Sequence, residues 1–321
     1  MHGKYDITVE NAYIRYDFTI VRNITVIRGQ SATGKTTLYE MIRAYNESDD
    51  SGINVICDKK LVVLYGKQWE RELENITDSI VFIDEQSRFV KSKNFAERIK
   101  NTDNYYVLIT REKLSELPYS ITEIYGIRTS GKYARLVGEY TQNELYRIYG
   151  LNPALSFKPD IVITEDTNSG YDFWNKVYEN IKCISAGGKT KVIKSVKELY
   201  NDEKRILAIV DGAAFGPEIE EIIQMIKYTN PGLEIYAPES FEYLILSSGI
   251  LKIGGITEKC ENTYDYADSA EFISWEQFYT KLLTEVTEGT EKQYSKHRLN
   301  VYYLSDRNRE IILEQVPQNI K

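Results

Sequence analysis

A run of eight residues near the N-terminus has the residue types and the spacing that bind the phosphates of a nucleotide. Residues 29–36 read GQSATGKT and match the pattern G-x-x-x-x-G-K-[ST] at every position. The run follows a predicted strand, Ile24–Arg28, and precedes a predicted helix, Thr36–Tyr45. Its glycines allow the loop to curl, so that backbone N–H groups and the helix N-terminus face an anion. The pattern therefore predicts a nucleotide-binding loop; the alternative is a glycine turn before an unrelated helix.

The positions of this loop have distinct expected roles. The ammonium group of Lys35 is expected to contact the β- and γ-phosphates of ATP, and the hydroxyl of Thr36 is expected to be a ligand of Mg²⁺. The pattern thus predicts ATP and Mg²⁺ as cofactors. The residues predicted to bind the nucleotide are Gly29, Ser31, Ala32, Thr33, Gly34, Lys35, Thr36 and Thr37.

Two neighbouring acids follow a second predicted strand. Residues 79–85 read SIVFIDE, an apolar run that ends in Asp84 and Glu85. Asp84 is expected to hold the magnesium ion, and Glu85 to orient or deprotonate the attacking water. Many small-molecule kinases lack the second carboxylate, so the pair favours hydrolysis over kinase activity. The alternative is a buried strand that ends in an acidic turn.

Polar residues also end a third predicted strand, Tyr105–Thr110. Thr110 resembles a residue that senses the γ-phosphate. Arg111 is expected to act as a catalytic residue, either as a sensor or as an arginine finger that reaches a neighbouring subunit. The second role would make the protein a homo-oligomer. The alternative is an exposed arginine at a polar strand end.

The first 149 residues resemble the P-loop ATPases of the AAA and ABC superfamilies, on the strength of residues 29–36 and of the two acids. Only 49 positions separate Lys35 from Asp84, which leaves little room for the helical subdomain of ABC proteins. The LSGGQ signature of that family is also missing from the sequence. The resemblance therefore favours a minimal AAA-like or divergent ATPase.

Acids follow two further predicted strands in the second half of the chain. Glu165 and Asp166 follow Ile161–Thr164, and Asp211 ends Ile206–Asp211. Acids at the carboxyl ends of parallel strands lie at the crevice where open α/β sheets bind ligands. Glu165 and Asp211 could hold a magnesium ion there through oxygen ligands. The alternative is that these acids cap helices and surface turns.

From about residue 159 to residue 255, the order of features resembles the TOPRIM fold of topoisomerases, primases, OLD-type nucleases and TOPRIM-like effectors paired with ATPases in bacterial antiviral systems. In that family a glutamate follows the first strand and Asp-x-Asp follows a later one. Glu165 matches the glutamate and Asp211 the leading aspartate, whereas position 213 is alanine. The resemblance implies a metal-dependent nuclease with Glu165 as base or ligand and Asp211 as ligand. The missing ligand would come from Glu218, Glu220, Glu221, Glu239 or Glu242; otherwise the site is inactive.

A locally basic stretch lies between the acids of the two halves. Residues 88–113 carry seven basic and three acidic side chains, although the net charge of the chain is −8. Such a stretch could contact DNA, RNA or an acidic protein partner. The alternative is an ordinary solvated face.

Composition narrows the class of protein. The 321 residues are 42% hydrophobic and 27% charged, and no run of eighteen apolar residues occurs, so no membrane partner is expected. The N-terminus lacks the apolar segment of a signal peptide, and the three cysteines form no disulfide or zinc spacing. Two histidines leave little room for a histidine-based triad or metal site. These features together predict a cytoplasmic protein.

The alternation of apolar runs and helix-like segments predicts an α/β protein with two domains. Residues 1–150 are predicted to form a P-loop NTPase domain with a mainly parallel sheet, and residues 151–160, with two prolines, a linker. Residues 161–255 are predicted to form a smaller TOPRIM-like α/β domain. Residues 256–321 are predicted to form a mostly helical C-terminal region.

Three local predictions concern the first domain. Residues 6–20 alternate apolar and polar side chains around a polar break, which predicts an antiparallel hairpin with one buried face. Ala134–Val137 is predicted to be a strand after a turn at Ser130-Gly131. Residues 142–149 are predicted to be a helix that ends at Gly150.

The sequence thus favours an ATPase that gates a magnesium-dependent nuclease acting on DNA or RNA. The resemblance alone suggests a role in antiviral defence or on a mobile element. The main alternative is a nucleotide-dependent switch or scaffold, in which an inactive TOPRIM-like domain binds a protein partner. A small-molecule kinase is disfavoured by Glu85 and by the lack of an arginine-rich lid.

Overall fold

The computed structural model describes residues 1–29, 33–130, 141–150, 157–201, 203–229 and 232–320. The α/β class predicted from the sequence is confirmed. The chain divides into two compact units, Met1–Tyr149 with Tyr264–Ser274, and Gly150–Thr263 with Trp275–Lys321. The C-terminal region expected at residues 256–321 is therefore shared between the units. The strand predicted at residues 134–137 and most of the predicted linker lie outside the described residues.

The described part of the first unit is built around a nine-stranded sheet with the order β4-β1-β2-β9-β8-β3-β7-β6-β5. Its strands are β1 (Tyr5–Glu10), β2 (Ile14–Ile20), β3 (Ile24–Ile27), β4 (Asn54–Ile56), β5 (Lys60–Val63), β6 (Ser79–Ile83), β7 (Tyr105–Ile109), β8 (Ile124–Ser130) and β9 (Thr141–Arg147). Its helices are α1 (Lys35–Glu47), α2 (Trp69–Leu73) and α3 (Lys93–Ile99), with 3₁₀ turns at Arg88–Lys91 and Ile121–Glu123.

The sheet is mixed, and its parallel part carries the residues predicted to bind the nucleotide. Strand β7 lies between β3 and β6 and runs parallel to both. Leu108 pairs with Val26 on one side and with Ile83 on the other. Every residue of β3, β6 and β7 is buried, as expected for central strands covered on both faces. The three strands therefore end at nearly the same level.

The predicted hairpin at residues 6–20 is confirmed. Strands β1 and β2 pair antiparallel, with Tyr5 opposite Ile20 and Glu10 opposite Arg15. Their alternate buried residues form one hydrophobic cluster with α1 and the central strands, and this cluster includes Tyr16. The hairpin thus packs against the helix that follows the predicted nucleotide-binding loop.

The helix predicted at residues 142–149 is wrong, because residues 142–147 belong to strand β9. Strand β9 pairs antiparallel with β8 and parallel with β2. Asn143 is buried and accepts a hydrogen bond from the Thr129 hydroxyl at 2.9 Å. Helix propensities differ by less than about 1 kcal/mol per ordinary residue, and pairing with a strand on each side outweighs them.

A late segment of the chain completes the first unit. The Ser269 backbone N–H donates a hydrogen bond to the Met1 carbonyl at 2.9 Å. The side-chain amide of Asn23, just before β3, donates to the carbonyls of Phe272 and Ile273 at 3.2 and 2.9 Å. Asn23 is buried, so these bonds satisfy a polar group that would otherwise be costly to bury.

The described part of the second unit contains a four-stranded parallel sheet with the order β11-β10-β12-β13. The strands are β10 (Ile161–Thr164), β11 (Lys182–Ser185), β12 (Ile206–Ile209) and β13 (Leu233–Tyr236). The chain passes from β10 to β11 on one side of β10 and then returns to β12 on its other side. The direction in which strands are added therefore reverses between β10 and β12. Open α/β sheets bind ligands outside the carboxyl ends of the strands at such a point.

Helices surround this sheet and form the rest of the unit. They are α4 (Ser169–Val177), α5 (Lys189–Leu199), α6 (Ile219–Thr229), α7 (Phe241–Ser247), α8 (Ile256–Glu261), α9 (Trp275–Thr287), α10 (Val301–Leu304) and α11 (Asp306–Leu313), with a 3₁₀ turn at Gln318–Ile320. Across the described ranges of the chain, no helix has the length and apolar character needed to cross a membrane.

Candidate functional site

The predicted nucleotide-binding loop connects β3 to α1. Gly29 and Gly34 have φ angles of 145° and 88°, in the region that favours glycine. A Cβ atom on Gly34 would lie 2.8 Å from the Tyr16 hydroxyl, which donates a hydrogen bond to the Gly34 carbonyl at 2.8 Å. Strand β2 thus supports the end of the loop, and glycine is the residue that fits there. The predicted contacts at Ser31 and Ala32 lie outside the described residues.

The Lys35 ammonium group is held inside the loop. Its Nζ atom donates to the Gly29 carbonyl at 2.8 Å and to the Thr33 hydroxyl at 3.0 Å. The residue is only 5% exposed. The pKa of Lys35 is lowered, first by burial and then by the positive charge of Arg111, while Glu85 acts in the opposite direction. An anion in the loop would relieve both of the effects that lower this pKa.

The first turn of α1 carries no acidic side chain, and its N-cap residue, Gly34, has no side chain that could accept from the helix N–H groups. Thr36 and Thr37 are exposed in this turn. The first N–H groups of a helix have no partner within the helix and carry its positive dipole end. This end of α1 can therefore receive a phosphate.

Asp84 follows β6 and is 7% exposed. Its Oδ1 atom is buried and makes no hydrogen bond to any described group. A buried carboxylate oxygen without a partner is costly, and such an oxygen is a ligand that Mg²⁺ or its bound water takes. The residue present at this position therefore fits a magnesium ion.

Glu85 and Arg111 form an ion pair beside Asp84. The Arg111 Nε atom lies 3.4 Å from the Glu85 Oε2 atom, and the two side chains are 49% and 38% exposed. Arg111 follows Thr110, whose buried hydroxyl accepts a hydrogen bond from the Glu112 N–H at 3.0 Å. The structure thus brings Arg111 to the predicted catalytic glutamate of its own chain.

In the second unit, Glu165 and Asp211 line a narrow crevice at the carboxyl ends of β10 and β12. The Asp211 backbone N–H donates to Glu165 Oε2 at 3.2 Å, and the Phe241 N–H donates to Asp211 Oδ1 at 3.2 Å. The cavity measures about 20 Å³, which is enough for a water molecule or an ion. The two acids that were predicted from separate strands therefore meet.

Both carboxyl groups of this crevice hold protons more tightly than usual. Burial raises the pKa of Glu165 to about 7, and the hydrogen bond from the Asp211 N–H partly opposes that rise. Burial also raises the pKa of Asp211 well above its ordinary value, and the negative charges of Glu276, Glu165 and Glu242 raise it further. A carboxyl pair of this kind needs either a proton or a cation.

Asp166, by contrast, has a structural role. Its Oδ1 atom accepts hydrogen bonds from the N–H groups of Thr167 and Asn168 at 2.7 and 3.1 Å. Its Oδ2 atom accepts from the Gly170 N–H at 2.7 Å. These bonds order the turn before α4. For Asp166, the alternative of an acid that caps a helix or a turn is therefore the one that the contacts support.

Sequence reasoning missed two residues of this acidic region, Glu276 and Lys296. The Lys296 Nζ atom lies 2.7 Å from Glu276 Oε1 and 4.0 Å from Glu242 Oε1. Burial lowers the pKa of Lys296, but Glu276 and Glu242 raise it more, so the net shift is upward. Glu242 is buried and also accepts a hydrogen bond from the Tyr294 hydroxyl at 2.7 Å. No local sequence signal marks Glu276 or Lys296, because both lie far along the chain from Glu165 and Asp211.

The candidates for a third metal ligand are placed unequally. Glu242 lies close enough to Asp211 to raise its pKa, whereas Glu221 forms an ion pair with Lys197 at 2.6 Å. Within the described ranges, no group of three or more His, Cys, Asp or Glu side chains is arranged to hold a metal ion. Two carboxylates nevertheless suit a magnesium ion whose remaining ligands are waters and substrate phosphates. Glu165 and Asp211 fit that type of site.

The raised pKa of Glu165 predicts how the stability of the second unit depends on pH. Its value is about 7 when folded and about 4.5 when unfolded, so the folded state binds the extra proton between these values. This contribution is fully present below pH 4.5 and is lost as the pH rises through about 7. The Glu165→Gln variant should lose this dependence, which is on the order of 1–3 kcal/mol.

Urea unfolding in metal-free buffer at pH 5, 6, 7 and 8, followed by tryptophan fluorescence in proteins that carry Trp69→Phe and Trp275→Phe so that Trp174 in the crevice wall is the emitter, measures this effect. The Glu221→Gln variant, which removes an exposed carboxylate, should keep the pH dependence of the original protein. An unchanged pH dependence in Glu165→Gln would show that Glu165 titrates normally.

Comparisons of the chain with protein-family models, with curated proteins and with solved structures found no match.

Proposed function

We propose that this protein binds ATP with Mg²⁺ in its first unit and hydrolyses it. The observation that carries the proposal is that the carboxyl ends of three adjacent strands bring together Lys35, Asp84 and the Glu85–Arg111 pair. These residue types are the ones that phosphoryl transfer requires: a cation for the phosphates, a carboxylate for the metal and a carboxylate for water.

Binding would exchange contacts within the loop for contacts with the nucleotide. The Lys35 ammonium group would turn from the Gly29 carbonyl and the Thr33 hydroxyl to the β- and γ-phosphates. The N–H groups at the start of α1 would hold phosphate oxygens. Asp84, with Thr36, would hold the magnesium ion, which neutralises phosphate charge when bound.

Hydrolysis would depend on separating Glu85 from Arg111. Glu85 is partly neutralised by Arg111 in their ion pair. When Arg111 moves to the γ-phosphate, its charge can stabilise the transition state, and Glu85 becomes free to accept a proton from water. The pair thus suits a site that remains inactive until ATP is in place.

The Glu85→Gln variant tests this assignment. Glutamine keeps the size of the side chain but cannot accept the proton, so phosphate release should fall by about 100-fold or more while ATP binding changes little. The measurement is phosphate release with Mg²⁺, together with ATP affinity by calorimetry. The Glu112→Gln variant, which changes an exposed acid paired with Lys91, is the matched control. Normal turnover in Glu85→Gln would remove Glu85 from the mechanism.

We also propose that the second unit is a magnesium-dependent nuclease of the TOPRIM-like type, and that ATP bound by the first unit gates it. The support is the pair Glu165 and Asp211 at the switch in strand order, where α/β sheets bind ligands. Glu165, whose pKa is about 7, is suited to exchange a proton near neutral pH. Asp211 would hold the magnesium ion, which would bind the scissile phosphate.

One observation favours the alternative of a nucleotide-dependent switch or scaffold. Ala213 is 2% exposed, and its N–H donates to the Glu239 carbonyl at 3.0 Å. This position therefore supplies no metal ligand. In that alternative the second unit binds a protein partner and cleaves nothing.

A further inference from the structure

The basic stretch at residues 88–113 is mostly neutralised by nearby acids. Lys91 and Lys93 pair with Glu112 and Glu97. Arg98 bridges Glu70 and Glu74, at 2.9 and 3.0 Å, and Arg111 pairs with Glu85. The stretch therefore does not act as one continuous cationic surface. Arg88 differs from these residues, because it faces a cavity.

The cavity lies where the chain leaves the carboxyl ends of β5 and β6, and it measures about 600 Å³. Sites for small organic ligands commonly measure about 300–1,000 Å³, so this cavity can hold a nucleotide. The residues that line it are Tyr65, Gly66, Lys67, Trp69, Gln86, Ser87, Arg88 and Phe89. None of them is acidic, although the chain as a whole has a net charge of −8.

Aromatic side chains supply one part of the lining. Trp69 and Phe89 are stacked, with ring centroids 4.7 Å apart and planes 10° from parallel. Tyr65 is 43% exposed, and the Arg43 guanidinium lies 5.1 Å from its ring centroid. A planar ring that is held by a cation yet remains accessible is a surface on which a nucleobase can stack.

Two exposed cations supply the other part. Lys67 and Arg88 have no carboxylate within 4 Å in the ranges that the structure describes. The nearest acids along the chain are otherwise engaged, since Glu70 pairs with Arg98 and Glu85 with Arg111. Lysine and arginine side chains that are not neutralised, next to the exposed ring of Tyr65, match the alternation of phosphate and base along a single strand.

We propose that this cavity, which we call the Tyr65 groove, binds a nucleotide unit of single-stranded DNA or RNA. Tyr65 stacks on the base, and Lys67 and Arg88 contact the flanking phosphates. A single strand is favoured over a duplex because stacking on Tyr65 requires an unpaired base. A free nucleotide presents the same chemistry and is distinguished in the experiment below.

The groove also adjoins the candidate ATPase residues along the chain. Gln86, Ser87 and Arg88 directly follow Glu85, so a strand bound in the groove contacts the segment that carries this residue. We expect such a strand to change the rate of ATP hydrolysis. This second expectation rests on the proposed ATPase, whereas strand binding does not.

The test is binding of labelled 12-nucleotide oligo(dT) and oligo(U), measured by fluorescence anisotropy without ATP at several salt concentrations. The Lys67→Ala/Arg88→Ala variant should bind about tenfold or more weakly, and its slope of log affinity against log salt should fall by about 1.4, or 0.7 for each lost phosphate contact. The matched control is Lys93→Ala/Lys100→Ala, which removes two exposed lysines outside the groove. The control should bind like the original protein.

Tyr65→Ala separates stacking from charge. It should weaken binding by about fivefold or more without changing the salt slope, because stacking releases few counterions. Equal binding by the groove variants and the control would overturn the proposal, as would no binding of either oligonucleotide. Circular dichroism of each variant shows whether it is folded. In a folded Lys67→Ala/Arg88→Ala variant, the smaller slope of log affinity against log salt shows that phosphate contacts have been lost.

Two further arms identify the source of the ligand and separate this proposal from the ATPase. If nucleoside monophosphates displaced the oligonucleotide at equal nucleotide concentration, the proposal of a single-stranded ligand would be overturned in favour of a free nucleotide. The Lys35→Ala variant should bind oligonucleotides normally, because Lys35 is held in the loop and does not line the groove. If the original protein bound the oligonucleotides through the groove but did not hydrolyse ATP, the groove would be upheld and the proposed ATPase rejected.

Discussion

Replacing Lys35 by alanine is expected to lower the affinity for ATP by about 100-fold or more, because a charge-assisted contact to the phosphates is lost. The Lys35 ammonium group donates hydrogen bonds to two described residues of the predicted loop, at the Gly29 carbonyl and the Thr33 hydroxyl. The folded state should lose little stability, since burial of this cation lowers its pKa and therefore already costs free energy.

Calorimetric titration with a non-hydrolysable ATP analogue and Mg²⁺ measures this loss, and thermal unfolding measures the stability. The Lys91→Ala variant removes an exposed lysine of the same unit that pairs with Glu112, and it should bind ATP normally. If Lys35→Ala kept its affinity, residues 29–36 would not be the nucleotide-binding loop.

The Asp211→Asn variant is expected to abolish magnesium-dependent cleavage of nucleic acid while ATP hydrolysis continues. Asparagine can still accept the hydrogen bond from the Phe241 N–H at Oδ1, so the local fold should persist. It carries no negative charge for the metal, and loss of that charge should reduce cleavage by about 100-fold or more. The assay is cleavage of plasmid DNA and structured RNA with Mg²⁺ or Mn²⁺, with and without ATP.

The Glu221→Gln variant is the control for this experiment, because it removes an exposed acid of the same unit that pairs with Lys197. Cleavage that persists in Asp211→Asn would place the reaction elsewhere. If the original protein cleaved neither substrate under any condition yet hydrolysed ATP, the switch or scaffold would become the better description of the second unit.

The parts of the candidate sites that could be predicted are contiguous in sequence. Residues 29–36 match a pattern in which Gly29 and Gly34 have φ angles that favour glycine, and Asp84 and Glu85 follow a run of apolar residues. In the second unit, α7 begins at Phe241 because Ser240 caps it by accepting from the Tyr243 N–H at 3.2 Å. Each of these signals is local.

The parts that escaped prediction depend on distant partners. Residues 142–147 form part of a strand because β2 and β8 lie on either side of β9, and neither partner is visible in a window of eight residues. Lys296 reaches Glu276 across 20 positions and Glu242 across more than 50, and no spacing rule joins such residues. The pairing of Arg98 in the basic stretch could not be predicted for the same reason, since its partners Glu70 and Glu74 lie outside residues 88–113.

The first unit consists of two separate stretches of the chain, and this has a consequence for folding during synthesis on the ribosome. Residues 264–274, which satisfy the buried amide of Asn23, are synthesised only after the 114 residues Gly150–Thr263 of the other unit. At about 5–20 residues per second, that interval lasts roughly 6–23 seconds. During this time the nascent chain has the predicted nucleotide-binding loop but lacks the segment that satisfies the amide of Asn23, so the first unit is complete only after most of the other unit has been synthesised.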